Sequence, residues 1–167
     1  MIKKIVLFAL VMFPVVSFAQ ENQKIAYLNY GEVVMAMPEY KQMMDSLKKE
    51  EEAYLADIKI MTDEHAKKYS DYLEQQDTLN EAVKLRRLQD IEDTRQRTAN
   101  FQQYAQQKLD ELQQALMGPI LEKLQKAIDE AGRDNNFLFI ADSTAFRYIS
   151  SSATDATPFV KKKLGIQ

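Results

Sequence analysis

The sequence predicts a mainly α-helical protein with a small β body, in which a long antiparallel helical hairpin of coiled-coil type is inserted between short strands. Three observations predict it. From Glu39 to Met117 the chain runs about eighty residues without Gly or Pro, far beyond an average helix of about 11–12 residues. Strand-like segments lie on both sides of that stretch, Lys24–Asn29 and Phe137–Asp142. Gly118-Pro119 then marks where the long stretch gives way to a different texture.

The first residues read as an address. Lys3 and Lys4 precede the apolar run Ile5–Val16, which only Pro14 interrupts, and Ser17 and Ala19 place small residues three and one before a cut that leaves Gln20. This is the pattern of a secretory signal peptide over residues 1–19, with an apolar run too short to span a bilayer comfortably. The chain beyond Ala19-Gln20 is therefore expected outside the cytoplasm, which in a two-membrane bacterium means the periplasm.

Residues 20–38 and 118–167 are expected to form a body, and residues 39–117 an arm. In the body, Ile25, Tyr27 and Leu28 suit a short strand. Gly31 and Glu32 lead into a short helix, Val33–Met37, stopped by Pro38. The arm is built of Gln, Glu, Lys, Leu, Ala and Met, all good helix formers. Alternating steps of four and three residues from Tyr40 pass through Met44, Leu47, Glu51, Tyr54, Ile58, Met61, His65, Lys68 and Tyr72. That is a coiled-coil seam with polar interruptions. A second seam runs Leu85, Leu88, Ile91, Arg95, Thr98, Phe101, Ala105, Leu109, Leu112 and Leu116, without a large apolar residue from Glu92 to Asn100. Asp77 and Asn80 are candidate N-caps near the midpoint, so the chain is expected to turn there into two legs of roughly 50–60 Å.

Gly118-Pro119 is expected to kink or restart the helix, with Ile120, Leu121, Leu124 and Ile128 on its apolar face and a stop at Gly132. Phe137–Ala141 reads as a dense strand and Phe146–Ile149 as a shorter one, followed by a polar loop, Ser150–Thr154. Asp155 or Thr157 can cap a last short helix with Pro158 in its first turn and Phe159, Val160 and Leu164 as its apolar positions. Three short strands make a poor independent core, so pairing with strands of other copies is expected.

Composition removes several function classes. The chain has no cysteine, so disulfides, thiolate metal sites and Cys nucleophiles are excluded. Without Lys3 and Lys4 there remain 20 basic residues against 25 acidic, a net charge of −5. A general nucleic-acid binder needs a basic footprint, so no nucleic-acid partner is expected. His65 is the only histidine and cannot build a metal site alone; a structural place on the seam is expected of it. Adjacent acids such as Glu92-Asp93 and Asp110-Glu111 point to different helix faces and make poor acid–base couples. Four glycines offer no phosphate loop, and Asp142 after the strand reads as a turn residue. No enzyme, cofactor or metal is expected. A structural coiled coil tethering envelope components is one function class compatible with these features.

The ordered set KIAYLN, VVMAMPEYK, the breaker-free charged helices, AIDEAGRDNNFLFIADS, FRYIS and DATPFVKKKLG resembles the Skp/OmpH family of periplasmic chaperones over nearly all of the chain after residue 19. The resemblance implies a homotrimer. Short strands of three chains would form a central β-barrel, with Ile25, Tyr27, Leu28, Phe137, Leu138, Phe139 and Ile140 in its oligomerisation body. Three hairpins would project around a cavity. It also implies an ATP-independent holdase that keeps unfolded outer-membrane proteins from aggregating before insertion, without stable membrane insertion of its own but with room for peripheral contact. The arm departs from the basic arms of the best-known member: acids outnumber bases from Glu39 to Glu74, leaving Lys84, Arg86, Arg87, Arg95 and Arg97 as local positive contact sites. Client contact is expected from apolar side chains lying off the seam, Met43, Ile60, Tyr69, Leu73, Val83 and Tyr104, because adaptable Met and amphipathic Tyr suit partners without fixed geometry.

Overall fold

The computed structural model describes residues 24–166; the signal-peptide reading of residues 1–19 falls outside them. The chain opens with strand β1, Lys24–Leu28, followed by helix α1, Tyr30–Ala36. The Asn29 side chain caps α1 by accepting a hydrogen bond from the Glu32 N–H at 3.2 Å, satisfying a donor that the first turn leaves free. Pro38 does more than stop α1. It occupies the first turn of helix α2, Pro38–Gln75, where its missing N–H costs nothing.

A single 3₁₀ turn, Gln76–Thr78, reverses the chain, and helix α3 follows over Glu81–Asp134. Of the two expected caps, Asn80 serves: its Oδ1 accepts from the Val83 N–H at 3.0 Å. α2 and α3 pack side by side as the antiparallel hairpin.

Gly118-Pro119 does not break the chain. α3 passes through it as one helix of 54 residues, about 80 Å long. Pro119 denies one carbonyl its donor, but the next turns bury Ile120, Leu124, Ala127 and Ala131, and that packing outweighs the local loss. Gly132 does not stop α3 either. It lies where the helix meets the sheet, an added Cβ standing 3.7 Å from Ile140 Cδ1. The helix ends two residues later, and Asn136 turns the chain with φ of 54°.

Strand β2, Phe137–Asp142, pairs parallel to β1, with Ala26 opposite Ile140 and Leu28 opposite Asp142. Parallel neighbours need a crossover connection, and here the whole hairpin is inserted in that crossover. The expected strand Phe146–Ile149 does not form; those residues are loop. The third strand is instead β3, Thr154–Asp155, parallel to β1 on its other edge, in the stretch that reads as a polar loop. Edge pairing is backbone chemistry, and the Ala156 N–H donates to the Tyr27 carbonyl at 2.7 Å, so side-chain polarity gave no warning of it. The result in one chain is an open three-stranded sheet of order β2-β1-β3. Helix α4, Thr157–Leu164, closes the body; Asp155 Oδ1 accepts from the Thr157 N–H at 2.9 Å, and Gly165, with φ of 70°, ends it.

One apolar cluster joins these elements. Leu28, Val33, Met37, Ile120, Leu124 and Val160 are buried in it, and it continues into the base of the hairpin through Met43.

Candidate functional site

Two surfaces stand out, one on the sheet and one on the hairpin. Alternation along β1 sends Ala26 and Leu28 into the body and leaves Ile25 exposed on the other side. Phe139 lies beside Ile25 in register and is exposed with it. The loop after β2 brings Phe146 and Tyr148 to the same place, and together with Tyr27 these residues line an open groove of about 750 Å³. Of the residues assigned from sequence to an oligomerisation body, Leu28 belongs to the chain's own core and Ile140 packs against that core. Phe137 sets its ring edge-on to Phe159 at 5.9 Å, and Leu138 is exposed. Phe146 and Tyr148 were not singled out from sequence, because their segment read as a strand of its own.

The hairpin keeps both seams over most of their length, from Leu47 to Tyr72 on α2 apart from exposed Glu51 and from Thr98 to Leu116 on α3, and departs from them near their starts and at Arg95. Met43 is 3% exposed and Met44 47%, so the seam passes through Met43, which is core and not a free contact. On α3, Leu85 and Leu88 are exposed, and the buried residues of this stretch are Ile91 and Thr94 in place of a line through Arg95. A seam repeating every 3.5 residues can step by three or by four, and which step is taken at a given turn depends on where the facing helix makes contact. Val83 is half-buried, whereas Ile60, Tyr69, Leu73 and Tyr104 are exposed as expected. His65 is half-buried in the seam.

Where large apolar residues run out, a polar layer takes over. Lys68 Nζ lies 2.8 Å from Glu64 on its own helix and 3.1 Å from Asp90 on the other. It also donates to Thr94 Oγ1 at 3.0 Å. Thr94 is 1% exposed, and its hydroxyl donates to the Asp90 carbonyl at 2.8 Å. The hydrogen bonds to Glu64 and then Asp90 raise the Lys68 pKa, and the bond from Lys68 holds the Glu64 carboxyl below its ordinary range. Lower on the arm, Tyr54 meets Phe101 edge-on at 6.0 Å, and Tyr104 stacks on Phe101 at 6.1 Å with Lys108 over its ring. At the base, Lys123 bonds Glu39 across the hairpin and lowers its pKa. These are structural ion pairs and aromatic contacts on an open surface, not a convergent catalytic group. Among the described residues no cluster of His, Asp and Glu has a metal-holding arrangement, and no helix is long and apolar enough to cross a membrane.

A family model described as outer membrane protein (OmpH-like) matches residues 24–164, from the first residue of β1 to the last of α4. The chain belongs to the OmpH-like family. No curated protein matches it. The crystal structure of an OmpH-like candidate outer-membrane chaperone from Caulobacter crescentus CB15 is similar, at 13% identity over 85% of this chain and 83% of that one, with a TM-score of 0.75. At that identity the likeness establishes a shared fold.

Proposed function

We propose that this OmpH-like protein is an ATP-independent holdase that binds unfolded outer-membrane proteins between helical arms in a homotrimer. The observation that carries the reading is the hairpin itself: α2 and the facing part of α3 extend roughly 55 Å and keep Leu55, Tyr69, Leu73 and Leu88 exposed along the way. Scattered apolar groups on a rod offer many weak contacts, and a client that touches several at once gains avidity without a fixed binding geometry. The body supplies the other half of the reading. Its open sheet leaves Ile25, Phe139, Phe146 and Tyr148 uncovered, an apolar area that strands of sibling chains in a β-barrel would bury. Residues 39–117 then act as the arm, and residues 20–38 and 118–167 as the oligomerisation body.

The test uses the protein expressed without residues 1–19. Light scattering is expected to give three times the chain mass, and a stoichiometric trimer is expected to suppress the aggregation of a urea-denatured porin without ATP. Unchanged porin aggregation would remove the holdase reading, and a monomeric mass would remove the shared body.

A further inference from the structure

The arm joins the body through two connections, and each carries a proline. On one side Met37, extended and fully buried, links α1 to Pro38, the first residue of α2. On the other side α3 runs through without a break, but it does so at Gly118-Pro119. Pro119 cannot donate to the Ala115 carbonyl, and its ring crowds that carbonyl. Glu39, Met43, Pro119 and Ile120 line one groove of about 390 Å³, which sets the first turns of α2 beside Pro119. The hydrogen-bond ladder of α3 is therefore interrupted at the level where that of α2 starts.

Nothing at the spot itself calls for Gly-Pro. These are the two residue types least favourable inside a helix. Both residues are exposed, and a Cβ added to Gly118 would meet nothing within 4 Å, so no close approach requires a glycine. The contacts that bridge the joint are yielding ones. Among the described residues Met43 is the one buried residue of α2, and an unbranched thioether side chain keeps its contacts while the geometry around it changes. The other bridge is an ion pair. Lys123, one turn beyond Pro119, donates to Glu39, the second residue of α2. Their side chains are 49% and 37% exposed, so water and salt reach the pair and hold it to a modest strength.

We propose that Gly118-Pro119 is a pivot on which the arm, residues 39–117, swings as a unit against the body, and that the Glu39–Lys123 pair is the latch that holds one angle. Sharp helix kinks exceed about 20° and occur at proline. A change of about 20° carries the tip of an arm roughly 55 Å long through about 19 Å. The packing between α2 and α3 within the arm is untouched by such a swing. The pivot is thus separate from any loosening of the two arm helices from each other, which the polar layer around Lys68 and Thr94 governs.

The test reads the angle directly. The chain has no cysteine, so nitroxide labels can be placed through Gln102→Cys on the arm and Lys162→Cys on α4, both exposed positions. Labelled chain is mixed with an excess of unlabelled chain before refolding, so that pulsed electron paramagnetic resonance sees only distances within one chain. Gly118→Ala/Pro119→Ala is expected to narrow the distance distribution about twofold. If the proline only weakens the helix, the same variant melts at a higher temperature with an unchanged distribution, and that result overturns the pivot. Glu39→Gln is expected to broaden the distribution when Gly118 and Pro119 are present and to leave it narrow when both are alanine. Raised salt should reproduce the Glu39→Gln broadening without any substitution at the joint. An unchanged distribution in Glu39→Gln, or in salt, removes the latch and with it the proposal. The readout involves no client and no particular copy number, so failure of the holdase reading would leave it standing.

Discussion

The two ends of α3 follow different packing rules. Toward the body its inward residues are Ile120, Leu124, Ala127 and Ala131, all buried, in a cluster shared with the sheet, α1 and α4. Toward the tip its inward line passes through Ile91 and Thr94, and the partner helix answers with Lys68 and His65. Apolar burial contributes roughly 25 cal/mol per Å², whereas exposed ion pairs contribute little each. One helix thus runs from a firmly packed anchor into a rod whose helices are held together much more weakly. The lesson is that anchoring and reach can be separated along a single element by changing only what faces inward.

Three changes break or sharpen that contrast. The largest effect is expected from Leu124→Ala, which opens a cavity in the fully buried cluster and costs about 2–5 kcal/mol. Urea unfolding followed by circular dichroism measures it, and a loss below about 1 kcal/mol would mean that the body is not the anchor. A smaller effect, about 1 kcal/mol, is expected from Asn80→Ala, which removes the cap at the tip. Hydrogen exchange should quicken in the first turns of α3 and leave residues 120–131 unchanged, since the tip opens independently of the body. A spread of faster exchange into the body would show that arm and anchor unfold as one.

The smallest effect is electrostatic. Glu64 and Glu92 have pKa values lowered by Lys68 and Arg95 respectively. A carboxylate with a lowered folded pKa contributes stability above its unfolded value and loses it as pH falls through the folded one. Lys68 works in the opposite sense: its raised pKa keeps its contribution below the ordinary lysine range and loses it only at strongly alkaline pH. The body holds a carboxylate of the same kind, Asp134, lowered by Lys163, but its helices are also joined by the buried apolar cluster, so acidification from neutral pH to below the ordinary carboxylate range should loosen the arm more than the body. Hydrogen exchange corrected for intrinsic rates would show it, and Glu64→Gln should blunt the change. Equal loosening of both regions would remove the contrast.

Some of this was legible beforehand. The breaker-free stretch, Asn80 as the cap of the returning helix, the strand at Phe137 and the last helix all follow from local chemistry: propensity, capping and the missing N–H of proline. Exposure of Ile60, Tyr69, Leu73 and Tyr104 was also readable from the seam. Gly118-Pro119 misled because a local breaker was overruled by packing that lies far away in sequence. Phe146–Ile149 misled because a β-prone segment needs an edge to pair with, and Thr154–Asp155 reached that edge instead.

The sequence by itself determined that this protein has two long helices joined by a tight turn and flanked by strands, because each of those features is decided within a few residues. Most inward positions, from Leu47 to Tyr72 and from Thr98 to Leu116, were also legible in the seams, but only the tertiary structure decided the remaining steps, Met43 over Met44 and Thr94 over Arg95. Adjacent residues of a helix lie about 100° apart, so where the second helix makes contact decides which of two neighbours is buried.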